Sequence, residues 1–382
     1  MVSSTPQKGE GETEDIPLPN KTYTIPSTGH TYVYIYHPAQ HINIEGTSNK
    51  KHPTLLWLHG FPSTSAEWRN QVPYFLNLGY GILAPDLLGY GGSSKPLDVD
   101  AYVGKAMAAE IVAILENEGV YEEGGGEVVG IGHDWGTYLL SRLATFYPER
   151  FSALVFMSVG FHRPGVKGNI HAVNEKTKRR LGYEQAGYQV WFASEEAGRV
   201  LGENWETFFN LIYPTNPQTW TTSFAPLGSL KRFLLTNTHS STSHILAPWI
   251  SPQAKDHHHK NFTVEPGSIS GYEAPLMWYK RGIQSTGWED EKRALDVGEI
   301  RRDLRDLGGG KGRVLMVGGL RDTVCSAETA RMVMRGVVDE GKLRCVDVDA
   351  GHWIMLERPG KTNEILRRFL EGEMGGGVGS RL

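Results

Sequence analysis

Between residues 128 and 148 the chain reads as a strand, a sharp turn and a helix, and this run constrains the fold more than any other. Val128-Val129-Gly130-Ile131 is short and apolar, Gly132-His133-Asp134-Trp135-Gly136 follows, and Thr137 to Tyr147 is helical in character up to Pro148. Small residues two before and two after Asp134 permit a strained turn that lifts one side chain above a sheet, the geometry of a nucleophile elbow. Ser is the usual apex residue, but here it is Asp134. A carboxylate is ionised at neutral pH and attacks without a base to deprotonate it. Such a nucleophile suits substitution at a saturated carbon, as in an epoxide or a carbon–halogen centre, and leaves an ester on the enzyme.

The alternation extends in both directions. Thr22 to Tyr36 is β-like and broken at Ser27-Thr28-Gly29, which predicts a hairpin. Continuous strand-length runs at Thr54–Leu58, Tyr80–Ala84, Val128–Ile131, Ala153–Met157, Arg313–Val317 and Leu343–Val348 suit strands buried on both faces. Helical spacing at 101–118, 327–338 and 362–370 separates several of them. The expected fold is α/β, a mostly parallel sheet flanked by helices with right-handed crossovers. From about Phe161 to Lys292 no strand run occurs, and helical fragments fall at Ala186–Ala193 and Trp205–Leu211. That segment predicts an inserted helical cap over the carboxyl edge of the sheet, where ligands bind in such folds. The expected division is a disordered leader 1–20, a core of 21–160 and 293–372, a cap 161–292 and a flexible Gly-rich tail 373–382. Asn237 to Gly271 is polar and is expected to be a solvated loop. Its Asp256-His257-His258-His259-Lys260 run has no second cluster at metal-ligand spacing.

Composition narrows the function classes. A chain of 382 residues can bury a large core, and a net charge of -4 without a basic stripe gives no sign of a nucleic-acid partner. No apolar run approaches the roughly 20 residues that cross a bilayer. Met1 to Asn20 is polar and acidic and lacks the apolar core of a secretory signal. Two cysteines in so long a chain argue for a reducing compartment over a disulfide framework. Cys345 lies in a strand-like run and is read as packed; Cys325, close to Asp322, is assigned no reactive role. The ending Ser380-Arg381-Leu382 follows a Gly-rich stretch and is similar to the Ser-Lys-Leu peroxisomal address. A peroxisomal import receptor is therefore an expected partner, with cytosolic residence as the rival.

Three strand ends supply candidate chemistry. His59-Gly60-Phe61-Pro62 follows the Thr54–Leu58 run, Asp322 follows Arg313–Val317, and His352 follows Leu343–Val348. A backbone amide near Phe61, with that of Trp135, would make an oxyanion hole. Asp134, Asp322, His352 is the chain order nucleophile, acid, base. Taken singly, Asp322 could cap a helix, His352 could be a buried and satisfied imidazole, and His59-Gly60 could be a tight turn. Their conjunction in the right order at three separate strand ends favours the catalytic reading.

At these residues the chain resembles the soluble type of epoxide hydrolase in the α/β-hydrolase family. The likeness rests on His59-Gly60-Phe61-Pro62, Asp86 with Gly89-Tyr90-Gly91, Gly132-His133-Asp134-Trp135-Gly136, Tyr147-Pro148-Glu149-Arg150, Gly351-His352-Trp353 and Glu357-Arg358-Pro359. Tyr188-Gln189-Val190-Trp191-Phe192 and Ala274-Pro275-Leu276-Met277-Trp278-Tyr279-Lys280 resemble the two lid-tyrosine motifs. The resemblance spans about residues 22 to 370 and departs from the family over 237–271. Met277 and Lys280 stand where the family often has Asn and Arg.

The resemblance implies that Asp134 attacks an epoxide while Tyr188 and Tyr279 donate to its oxygen, and that His352, oriented by Asp322, activates the water that hydrolyses the ester. It also implies that the amides of Phe61 and Trp135 hold the oxyanion and that His133 and Trp135 contact a small apolar substrate. No cofactor or metal ion is called for. Taken alone, either tyrosine could be core filling. So could the cap aromatics Trp191, Phe192, Trp205, Phe208, Phe209 and Trp278. A haloalkane or haloacid dehalogenase shares the nucleophile and base. It would want extra N–H donors for the halide where Phe61 stands, and a fluoroacetate-type enzyme an Arg where Trp135 stands. A biosynthetic epoxide-opening cyclase would use the same residues, and a non-catalytic ligand sensor would not need them all.

Overall fold

The computed structural model describes residues 17–41, 51–121, 127–263 and 271–374. The Ser380-Arg381-Leu382 ending and most of the expected leader lie outside the described residues.

Among the described residues eight strands form one sheet: β1 (Lys21–Thr24), β2 (Thr31–His37), β3 (Thr54–Leu58), β4 (Gly81–Pro85), β5 (Val128–His133), β6 (Ala153–Met157), β7 (Arg313–Gly319) and β8 (Leu343–Val348). Their order is β1-β2-β4-β3-β5-β6-β7-β8. The first two make the expected hairpin and pair antiparallel onto β4, whereas β4, β3, β5, β6, β7 and β8 run parallel. Every residue of β3, β4, β5 and β6 is buried. This explains why these strands read as continuous apolar runs, since helices cover both faces. Strand order reverses between β3 and β5, which lie in register with Leu58 opposite Gly132. Such a switch point opens a crevice at the carboxyl ends of the strands, and the His59 and Asp134 loops both emerge there.

The helix Trp135–Phe146 follows β5 with no intervening loop. A Cβ on Gly136 would lie 2.0 Å from the Leu58 carbonyl oxygen, so only glycine lets the helix start this close to β3. Between β6 and β7 the chain makes the helical cap, which includes helices at Ile170–Leu181, Gly187–Phe192, Trp205–Ile212, Met277–Gln284 and Trp288–Asp296. A buried bidentate pair ties the two layers: Arg142 on the elbow helix donates to Glu291 of the cap at 2.6 and 3.0 Å. Arg142 and Arg281 both lie over the Tyr138 ring, 4.5 and 3.9 Å from its centre.

The expected loop over 237–271 is corrected by the structure. Its described part contains helices at His239–Thr242 and Pro252–Phe262, and the second holds the whole His run. Ser251 caps that helix by accepting from the Ala254 amide, and Pro252 occupies its first turn. These are the start signals that the polar composition masked. His258 and Phe262, four residues apart, form its buried face. The His258 ring meets the Tyr272 hydroxyl at 2.7 Å, and burial lowers its pKa to about 3. His257 instead meets Thr64 Oγ1 at 2.9 Å. The run is thus a packed helix seam.

Candidate active site

Asp134 occupies φ 48°, ψ -120°, a conformation that costs an L-residue on the order of 1–3 kcal/mol and persists only where its surroundings enforce it. They do so here. The Thr137 amide and hydroxyl both donate to the Asp134 carbonyl, at 3.0 and 2.6 Å. A Cβ on Gly60 would sit 2.4 Å from that of Asp134. The strain aims the carboxylate into the crevice. The Phe61 amide donates to its Oδ1 at 3.0 Å. Trp135 opens the helix, so its amide is one of the donors that a helix leaves without an internal partner. The Phe61 amide thus lies where negative charge would build on a tetrahedral intermediate at Asp134.

His352 lies on the other side of the carboxylate. Its Nε2 is 3.8 Å from Asp134 Oδ2, and its Nδ1 donates to Asp322 Oδ2 at 2.8 Å. Burial alone would push this imidazole down. The charge and hydrogen bond of Asp322 override it and hold His352 well above the ordinary histidine range. Asp322 is itself fixed by the Val324 and Cys325 amides, which donate to its Oδ1 at 2.9 Å each. It therefore both orders its own turn, close to the capping role weighed from sequence, and orients His352.

The cap pins these loops from above. Tyr183 Oη and Gln185 Nε2 donate to the Thr323 carbonyl at 2.7 and 3.0 Å, and Thr323 Oγ1 donates to that of Pro217 at 3.2 Å. Trp353 Nε1 donates to the Ile212 carbonyl at 2.8 Å. None of these contacts is legible from spacing, because each joins the cap to a core loop more than 100 residues away.

Tyr188 and Tyr279 descend from two cap helices, with ring centres 6.1 Å apart. Tyr279 lies 5.1 Å from both Phe61 and Trp135, near-perpendicular to each. Both phenols are buried. Desolvation raises their pKa well above 10, and the Asp134 charge adds to the shift in each. Burial therefore favours the protonated form of both hydroxyls, and both feel the Asp134 charge. Phe192, 5.1 Å from Phe61 and 4.8 Å from Tyr279, joins the same aromatic wall, so at least this cap aromatic faces the site.

His133 sits behind His352, with ring centres 4.7 Å apart. It is fully buried, its Nε2 donates to the His352 carbonyl at 3.0 Å, and its Nδ1 meets Glu67 Oε1 at 3.0 Å. As the last residue of β5 it is bonded to the core and to the backbone of the His352 loop. Cys325 and Trp220 complete the surroundings of His352, with Trp220 5.7 Å from its ring. Sequence gave Trp220 no signal. A cavity of about 30 Å³ lined by Pro62, Glu67, Arg69, Tyr213 and His257, among others, touches none of the four residues Asp134, His352, Tyr188 and Tyr279. It carries none of this chemistry. Among the described residues no helix is long and apolar enough to cross a membrane.

Residues 53–359 match the model of the α/β-hydrolase fold family. Epoxide hydrolase A of Mycobacterium tuberculosis is 28% identical over 332 residues, which is 84% of this chain and 91% of that protein. Bifunctional epoxide hydrolase 2 of Sus scrofa is 26% identical over 326 residues, 84% of this chain but 51% of that protein, so the chain spans about half of this relative. The crystal structure of epoxide hydrolase A from Mycobacterium thermoresistibile aligns with a TM-score of 0.65 at 22% identity, covering 92% of this chain and 98% of that one. At that identity the likeness speaks for the fold alone.

Proposed function

The chain belongs to the α/β-hydrolase fold family, and on that premise we propose that it hydrolyses an epoxide to a vicinal diol through a covalent ester on Asp134. The observation that carries the proposal is the pair of buried phenols, Tyr188 and Tyr279, with ring centres 6.1 Å apart and Tyr279 against Phe61 and Trp135, the two residues that flank the carboxylate in the elbow and the His59 loop. The names of the relatives point the same way.

Oδ1 is engaged by the Phe61 amide, so Oδ2 is the attacking atom. It forms a bond to one epoxide carbon as the carbon–oxygen bond breaks, and the released alkoxide takes a hydrogen bond and a proton from the tyrosine pair. The resting imidazolium of His352 sits between two carboxylates. Esterification removes the charge of Asp134, which eases transfer of the imidazolium proton through solvent to the phenolate left by ring opening. Neutral His352 then takes a proton from water as the water oxygen attacks the ester carbonyl. The oxyanion gathers against the amides of Phe61 and Trp135. Collapse breaks the bond from that carbonyl carbon to Oδ2, which takes the proton still carried by the added water oxygen, so the diol leaves and the Asp134 carboxylate is restored beside an imidazolium.

A phenol donor matters less to a departing halide, and Phe61 offers that halide no side-chain N–H. A panel of styrene oxide, fatty-acid epoxides, haloalkanes and p-nitrophenyl esters tests the class. Diol release without halide release is expected, and halide release with inert epoxides would overturn the assignment. A cyclic ether in place of a diol from a substrate with an internal hydroxyl would indicate the cyclase variant. Tyr279→Phe keeps the ring packing and removes the donor, so kcat for epoxides should fall by ~10²–10⁴-fold. An unchanged kcat in Tyr279→Phe and in Tyr188→Phe would remove the acid role.

Asp322→Asn tests the base. The Asn carbonyl keeps the Val324 and Cys325 amides, and its NH₂ then faces Nδ1 of His352. That favours the tautomer protonated on Nε2, which cannot accept a proton from water. Without the carboxylate, burial dominates and the His352 pKa falls. The acid limb of the kcat–pH profile should move to lower pH while kcat drops by on the order of 10⁴-fold, as for the equivalent change in a serine protease. An acid limb that stays in place would assign it to another group.

A further inference from the structure

We propose that Asp322, Cys325 and His352 together form a binding site for a thiophilic divalent cation, such as zinc or cadmium, and that its occupancy halts the ester-hydrolysis half of the reaction. The effect on turnover rests on the function proposed above; the binding itself does not. The geometry carries the site. One carboxylate oxygen, one ring nitrogen and the Cys325 sulfur all lie within 4.8 Å of one another, and the carboxylate and imidazole are already in contact at 2.8 Å. Ligand atoms about 2.0–2.3 Å from a zinc ion need only small rotations of the short Cys and Asp side chains to close around it.

The donor set is selective. A thiolate with an imidazole favours zinc and its soft congeners over magnesium or calcium, which prefer all-oxygen sites. Charge also balances: a carboxylate, a thiolate and a neutral imidazole offset two positive charges, so no net charge is buried. On binding, the Cys325 S–H bond breaks heterolytically, its proton passes to bulk water, and the sulfur lone pair forms the metal bond. His352 likewise loses its extra proton to water and gives a ring lone pair to the cation. No oxidation state changes. With its imidazole ligated, His352 cannot activate water, whereas attack by Asp134 needs no base and continues.

Cadmium is the probe, because a thiolate-to-cadmium bond has its own ultraviolet charge-transfer band. The full-length protein, freed of metal with a chelator, is titrated with cadmium alone. The wild type and Cys345→Ser should saturate the band at one equivalent, and Cys325→Ser should show no band. Cys325→Ser should also bind zinc at least ~10–100-fold more weakly, since losing a direct ligand costs no less than losing an outer-shell partner. Melting curves of the metal-free variants check that each is folded. A band that survives in Cys325→Ser, or that vanishes in Cys345→Ser, would overturn the site. So would saturation by magnesium. In a single turnover with zinc bound, the substrate adduct on Asp134 should accumulate in the wild type and not in Cys325→Ser. Equal adduct lifetimes with and without zinc would overturn the inhibitory role while leaving the site. If the protein opened no epoxide at all, the cadmium titration would still decide the site by itself.

Discussion

Asp134→Asn is expected to lower diol formation by on the order of 10⁴–10⁶-fold, the loss typical when the group that makes the covalent bond is removed. The substitution is chosen for its geometry. Asn keeps an oxygen for the Phe61 amide and matches Asp in size and shape, so the fold and the elbow should survive and the melting temperature should change little. The wild-type counterpart is a single turnover in heavy-oxygen water with enzyme in excess. The first diol should carry only light oxygen, one atom from the epoxide and one from Asp134 Oδ2. The heavy atom should appear in the peptide that contains Asp134. Because the Phe61 amide anchors Oδ1, the incoming oxygen takes the place of Oδ2, and diol from the next turnover should be labelled. Heavy oxygen in the first diol would mean that water attacks the epoxide directly, with Asp134 acting as its base.

The sheet was legible because its strands are buried on both faces. Thr54–Leu58, Ala153–Met157 and Leu343–Val348 match their apolar runs end to end, and the remaining parallel strands differ from theirs by at most two residues at either end. The elbow was legible for a related reason: glycines at 132 and 136 around a polar apex are costly unless a tight turn needs them. Contacts between cap and core were not legible. Thr323 is held by Tyr183 and Gln185, and Trp353 by Ile212, through bonds that depend on how a long insertion folds back. The His257–His259 helix was missed because its composition is polar while its buried face needs only His258 and Phe262. The partners of His133 were hidden for another reason. It is next to the nucleophile in sequence, but successive side chains alternate across a strand, so it faces Glu67 and the back of the His352 loop. Cys325 came close to being read, three residues after Asp322, yet only the closed turn brings its sulfur to His352.

His352→Gln should separate the two chemical steps. Attack by Asp134 Oδ2 needs no base, and Tyr188 and Tyr279 remain in place, so the ring should open at a rate near the wild type. Hydrolysis of the ester needs a proton acceptor beside the water, and an amide is too weak a base to serve. Turnover should then fall by on the order of 10⁴-fold or more. One equivalent of epoxide should be consumed per protein, and intact mass should rise by the mass of the epoxide on the peptide that bears Asp134. The variant carries a structural cost as well. The Asp322 side chain is fully buried, and removal of a cationic partner from such a charge costs about 3–5 kcal/mol. Because His352 is held above its ordinary value, its contribution to stability is fully present below the unfolded-state pKa and fades as pH rises through the folded one. The stability lost in His352→Gln should therefore be greatest at low pH and shrink toward alkaline pH, in melting curves taken across that range. A folded variant that forms diol without accumulating the adduct would show that His352 is not the base. One that leaves the epoxide untouched would show that His352 is needed for the first step, and the order of events proposed here would have to be reversed.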